Sequence, residues 1–146
     1  MNNSIQKAFH GAGKGIMIRT NAFDYINIME KAADASWLRN EAIANNIANV
    51  DTPNYKRQDV DFESVLAKEL GNNVLVDTDT KVSRANLSHL RVGTYTDASS
   101  FSYRLDGNNV DVETENVYLA QNQLKYEGLI KSITQEFQNL QTAMRK

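Results

Sequence analysis

The chain has no cysteine and a single proline among its 146 residues. Without cysteine there is no disulfide framework, no thiolate metal site and no thiol nucleophile. Histidine is nearly as scarce. His10 and His89 stand far apart, neither with a carboxylate at ligand spacing, so the pattern indicates no metal centre. An excess of one charge is missing too: 16 Lys and Arg stand against 18 Asp and Glu, a formal net charge of −2. That balance leaves no electrostatic footprint for nucleic acid and no polybasic patch for a membrane surface. No apolar run approaches the ~20 residues of a membrane span. The hydrophobic share is 41%, slightly below that of a compact globule. The apolar residues therefore serve either one modest core or long stripes that pack on partners.

The lone proline, Pro53, closes the segment Asn45-Asn46-Ile47-Ala48-Asn49-Val50-Asp51-Thr52-Pro53-Asn54-Tyr55, where a long helical pattern stops. Asparagine is a poor helix-interior residue because its amide competes for backbone hydrogen bonds. Asn45, Asn46 and Asn49 in the last turns therefore need a use for their amides. Upstream, Ile26, Met29, Ala33, Ser36, Asn40, Ile43, Ile47 and Val50 alternate spacings of three and four, a heptad seam uninterrupted by Gly or Pro. Asn21 is the expected N-cap and Asp24 favours the positive end of the helix. A second seam runs through Val112, Asn116, Leu119, Gln123, Tyr126, Ile130, Ile133, Phe137, Leu140 and Met144. Asp111 is its expected N-cap, and Arg145 and Lys146 complement the negative end. The two helices would be roughly 40 and 50 Å long at 1.5 Å per residue, beyond the ~30 Å diameter of a small domain. The spacing predicts a mainly α fold: two long terminal helices packed antiparallel as a coiled coil, with a short irregular, β-containing middle segment folded at one end. Val117, Ala120, Leu124, Trp37 and Leu38 lie off the seams and ask for neighbours from other chains.

The middle segment predicts one short helix over 61–70, stopped by Gly71, with Phe62, Val65, Leu66 and Leu70 on its apolar side. The stretches 72–80 and 93–105 are β-branched or aromatic and read as short strands or extended chain, with Ser99 and Ser100 in a turn or mobile loop. Asp106-Gly107 reads as a turn before the last helix. The expected organisation is a flexible extension over 1–20, a helical rod-like core from 21–55 and 110–146, and a middle segment over 56–109. Residues 1–16 carry no secretory signal pattern. They read as a flexible tail or as residues upstream of a true start at Met17.

Catalytic and ligand motifs fail when tested. An EF-hand loop starting at Asp77 has Val82 in place of the glycine and Ser88 in place of the final Glu. Gly11-Ala-Gly-Lys-Gly lacks the first glycine and the hydroxyl residue of a phosphate loop. Asp59, Asp61 and Glu63 alternate and so suggest a carboxylate pair for glycoside cleavage, but without a cleft signature they read as an exposed, solvated run. No enzyme and no cofactor is indicated.

The segment 44–55 resembles the N-terminal signature of the bacterial flagellar rod and hook proteins, and Lys56-Arg57-Gln58-Asp59-Val60-Asp61-Phe62 narrows it. Leu105-Asp106-Gly107-Asn108-Asn109-Val110-Asp111, with Glu115, Asn122 and Tyr126, resembles the start of that family's C-terminal helix. The short middle region favours the most proximal rod component over its rod neighbour and over the longer hook and distal rod proteins. One departure is Asn54, where many members carry Gly; Asn is the next best residue for a left-handed backbone. The resemblance implies a structural subunit of the flagellar basal body, outside the cytoplasmic membrane. It implies export without a signal peptide by the flagellar type III machinery. It also implies assembly with itself, with other rod proteins and with the basal-body base and export gate. A neighbouring rod protein or a free-standing coiled-coil adaptor is the alternative. The assembly motif is then Asn45, Asn46, Ile47, Ala48, Asn49, Asp51, Thr52, Pro53 and Tyr55. Its amides hydrogen-bond the local turn or an adjacent subunit, and Pro53 fixes the exit direction. Polar seam residues Ser36, Asn40, Asn116 and Gln123 are candidates for fixing register.

Overall fold

The computed structural model describes residues 21–71, 75–97 and 105–145. The readings placed on residues 1–20, including the Met17 start and His10, lie outside the described residues, as does the Ser99-Ser100 turn. In chain order the elements are α1 (Asn21–Ala48), β1 (Gln58–Val60), α2 (Phe62–Leu70), α3 (Thr78–Arg84), β2 (Thr94–Thr96) and α4 (Val112–Met144). The protein is mainly helical, with two long outer helices of 28 and 33 residues.

Local chemistry accounts for most element ends. Asp111 caps α4, accepting from Glu113 N at 3.0 Å and from Thr114 Oγ1 at 2.7 Å. These bonds hold the Asp111 carboxyl below its usual pKa, Thr114 first. Asp61 caps α2 by accepting from Ser64 N at 3.3 Å, and Gly71 ends it at φ +66°. The helix at 78–84 departs at residues 78–80 from the extended chain expected over 72–80. Asp77 caps a helix by accepting from Thr80 N at 3.2 Å, and that local bond outweighs the β preference of the threonines.

α1 and α4 run antiparallel. Asn46 meets Glu115, Ser36 and Asn40 meet Asn122, and Phe23 shares a groove with Phe137 and Met144. α1 is the central element because two of its faces are covered. The row Met29, Ala33, Ser36, Asn40 and Ile43 continues along the face that Asn122 reaches. A second row, Ile28, Ala32 and Ala35, packs with Val60, Phe62, Val82 and Leu90 in the buried core. β1 and β2 pair antiparallel, with Gln58 opposite Thr96 and Val60 opposite Thr94.

The middle segment does not fold at one end of the helix pair. It lies along α1. Tyr25 Oη donates to Asp79 Oδ1 at 2.8 Å, Arg39 pairs with Glu63, and Asn46 Nδ2 donates to Gln58 O at 2.8 Å. The alanines at 32 and 35 let it approach closely, and it covers an apolar row against which α4 places Leu129. One flank of the helix pair is thus clothed and the other is bare.

The inward face of α4 also differs from the expected seam. Leu119, Tyr126, Ile133 and Leu140 are half-buried, but their companions inside are Glu115, Asn122, Leu129 and Glu136. Ile130, Phe137 and Met144 are exposed at 41%, 52% and 77%. The reason is chemical. Glu115 and Asn122 find hydrogen-bond partners on α1, and turning them inward turns the apolar row at 130, 137 and 144 outward. On α1, Ile26, Ala33 and Ile43 are buried and Met29 and Ile47 half-buried.

Candidate functional site

The end of α1 and the start of α4 are joined by a clasp of polar side chains. After Ala48 the chain turns through exposed Asp51, Thr52 and Pro53. Asn54 adopts φ +59°, the left-handed conformation expected from its replacing glycine. Its N–H donates to Asp106 O at 2.9 Å. Gly107, at φ +76°, lies against it, and a β-carbon there would sit 2.8 Å from Asn54 Oδ1. Lys56 Nζ donates to Gly107 O at 2.6 Å.

Asn108 holds the clasp shut. It is fully buried, and its Nδ2 donates to the carbonyls of Asn49, Val50 and Thr52 at 3.0, 2.9 and 2.9 Å. Those carbonyls follow the last turn of α1, where the helix itself supplies no N–H. Val110 N donates to Asn108 Oδ1 at 2.8 Å, which orients the amide. Asn109 Oδ1 accepts from Arg57 N at 2.7 Å, and its Nδ2 donates to Asp97 O at 3.2 Å.

Asn46 does the matching work from the other side. Also fully buried, it donates to Gln58 O at 2.8 Å and to Glu115 Oε2 at 3.0 Å. It accepts from Gln58 N at 2.8 Å and from Tyr55 Oη at 3.3 Å. All four hydrogen-bonding sites of the amide are used within the chain. Burial raises the pKa of Tyr55, with the Glu115 charge adding to it, so the phenol stays a donor. Asn49, by contrast, is local: Nδ2 donates to Asn45 O at 2.8 Å and Oδ1 accepts from Thr52 Oγ1 at 3.2 Å. Asn45 and Ala48 face outward.

Buried charge backs the amides. Glu115, 1% exposed, accepts from Arg57 Nε at 2.6 Å. Arg57 also donates to Asp59 Oδ2 at 3.0 Å and lies 5.2 Å above the Tyr118 ring. Arg39 donates to Asp59 Oδ1 at 3.1 Å and clamps both oxygens of Glu63 at 2.9 and 2.7 Å. Lys125 also donates to Glu63. Arg39 first, then Lys125, hold the Glu63 carboxyl at a pKa of about 2. The alternating acids are exposed at Asp61 and Glu63, as expected, but each has a structural partner. Asp59 and Glu63 are ion-paired and Asp61 is a helix cap. A cavity of about 380 Å³ opens beside this network, walled by Arg39, Arg57, Tyr118, Gln121 and Lys125.

Of the residues singled out from the sequence, Asn46 and Tyr55 enter the clasp, Asn49 serves its own turn, and Pro53 stays at the surface. The sequence offered Arg57, Asn108, Asn109, Glu115 and Asn122 only as residues that carry the family resemblance, and Arg39 not at all; none was given a place in a buried polar network. Asn and Glu at inward heptad positions were the available signal. Among the described residues there is no cluster fit for a metal ion, and no helix is long and apolar enough to cross a membrane.

Residues 27–56 match the family described as flagella basal body rod protein. The chain is 35% identical over 124 residues to the flagellar basal body rod protein FlgB of Bacillus subtilis, covering 82% of this chain and 92% of that one. The chain belongs to the flagellar basal body rod protein family. FlgB of Cereibacter sphaeroides (strain ATCC 17029 / ATH 2.4.9) is 32% identical over 84% of this chain and 94% of its own length. FlgB of Escherichia coli K12 is 26% identical over 82% and 92%. The role of this FlgB-type chain is structural, as a component of the flagellar basal body rod, and not enzymatic. The match at 27–56 ends one residue before Arg57, so it contains Asn46, Tyr55 and the three carbonyls that Asn108 holds.

Proposed function

We propose that the chain is a subunit of the proximal rod, assembling with copies of itself and with other rod proteins into the helical axial structure that transmits torque. It reaches that site unfolded through the flagellar type III export machinery and meets the basal-body base. The observation that carries this reading is the bare side of α4. Val117, Leu124, Ile130, Phe137 and Met144 are all more than 40% exposed, and Trp37 on α1 is 62% exposed. A groove of about 720 Å³ lies between Phe23 and the last turns of α4. Ile130, Phe137 and Met144 recur every seven residues as one exposed apolar stripe, with Val117 and Leu124 on a separate face of the helix, and exposed apolar patches of this kind mark interaction sites. Contacts between non-identical faces that do not close into a ring build helical assemblies. The motif 45–55 acts in this reading through the clasp, by holding the two assembly helices together.

The test is to purify basal bodies from a strain carrying a tagged chain and a strain lacking it. The tagged chain is expected in the basal-body fraction, and the deletion strain is expected to lack rods beyond the base. Complete basal bodies in the deletion strain would refute the proposal. A chain found only as a stable soluble oligomer would favour the adaptor alternative.

A further inference from the structure

α4 offers two possible inner faces that share one row. Val112, Leu119, Tyr126, Ile133 and Leu140 recur every seven residues. On one side of the row stand Glu115, Asn122, Leu129 and Glu136; on the other stand Asn116, Gln123, Ile130, Phe137 and Met144. The two faces are about 50° apart around the helix axis. Beyond residue 129 the second is clearly the more apolar, and area burial alone would turn it inward. The structure packs the first.

Asn122 is where that choice is made. It is 3% exposed, and its Nδ2 donates to Ser36 O at 2.6 Å and to Asn40 Oδ1 at 2.8 Å. The bonds span 86 and 82 residues of sequence. Both acceptors lie on α1, so the amide reaches them in one rotational setting of α4. The arrangement is not optimised for stability: Asn122 Oδ1 and Ser36 Oγ are buried and unpartnered among the described residues. A polar group kept in a helix seam at a cost in stability is typical of a position that selects one packing over a competing one.

We propose that Asn122 is a positioning residue that sets the rotational phase of α4, keeping Ile130, Phe137 and Met144 turned outward for a neighbouring subunit. Glu115 supports it through Asn46 and Arg57. Without the Asn122 amide, the half of α4 beyond it rolls to bury its own docking stripe against α1. The phase-setting role stands on the fold; only the neighbour's identity rests on the rod reading.

The chain has no native cysteine, so single thiols report the roll cleanly. Gln123→Cys places a thiol on the outward face and Glu136→Cys places one on the inward face, each in the full chain. Adding Asn122→Leu is expected to leave the thermal midpoint unchanged or raised. It should slow maleimide labelling at position 123 and speed it at position 136. Ile130→Glu, added to Asn122→Leu, makes the rolled state bury a charge and is expected to restore both rates. A lowered midpoint with both rates unchanged overturns the proposal, since Asn122 then only contributes stability. Acceleration at both positions also overturns it, since the helix has then loosened and not rolled. In cells, Asn122→Leu is expected to be lost from purified basal bodies. Exchanged labelling with normal incorporation upholds the positioning role and refutes the use of this stripe by a rod neighbour.

Discussion

Replacing Asn108 by alanine tests the clasp directly. Its Nδ2 carries two hydrogens shared among three carbonyls, and its Oδ1 receives one N–H, so about three hydrogen bonds are lost. At a net value of about 1 kcal/mol each, the loss is about 3 kcal/mol. The carbonyls of Asn49, Val50 and Thr52 belong to residues that are half-buried or exposed, so water can recover part of it. Val110 N is buried, and leaving it unpaired adds about 1 kcal/mol. The expected destabilisation is about 3 kcal/mol, against a total of about 5–15 kcal/mol for an ordinary domain. Asn49→Ala is the control, because its side chain serves only its own turn; an effect of about 0.5–1 kcal/mol is expected there. Urea titration followed by far-UV circular dichroism measures both. Equal losses in the two variants, or a loss under about 1 kcal/mol for Asn108→Ala, would refute the claim that the far side chain holds the helix end.

Three further outcomes are expected. Gly107→Ala should cost about 1–3 kcal/mol in thermal unfolding, from the positive φ and the clash with Asn54. Adding Asn54→Gly should recover only the clash, and full recovery would contradict the strain argument. Glu63 has a folded pKa of about 2 against the usual 4.5, so its contribution is present above about pH 4.5 and fades as pH falls toward 2. The difference in midpoint between the parent chain and Glu63→Gln should therefore be constant above pH 5 and shrink across that window; a constant difference down to pH 2 would rule out the clamp. Arg57→Ala leaves Glu115 buried without its cation and should cost about 3–5 kcal/mol by chemical denaturation. Arg57→Ala with Glu115→Gln should be milder than the single change, which a double-mutant cycle checks.

What could be read from the sequence was what nearby residues decide. The caps at Asp111 and Gly71 and the left-handed turn at Asn54 each depend on chemistry within a few residues, and each is where the sequence placed it. α1 and α4 were visible from their periodicity. The inner face of α4 was not, because two rows compete at nearly the same spacing. The choice rests on Asn122 reaching Ser36 and Asn40 from 82 or more residues away. The same holds for the middle segment. Nothing near Phe62 or Val82 says that Ala32 and Ala35 form the surface they cover. Asp77 misled for the opposite reason: a single capping carboxylate was enough to turn a β-prone stretch helical.

The clasp also changes how the asparagine motif relates to assembly. Asn46 spends its whole amide inside the chain, and the three carbonyls after α1 are held by Asn108. The docking stripe proposed above is made of different residues, Ile130, Phe137 and Met144. Polar partners of fixed geometry tolerate little change, whereas an apolar stripe accepts any side chain of similar bulk. The family match at 27–56 accordingly holds the α1 half of the clasp and none of the proposed stripe. A motif variant that abolishes motility says first that the two helices have come apart. Only a variant that keeps its thermal midpoint and still fails to enter the basal body reports on the interface.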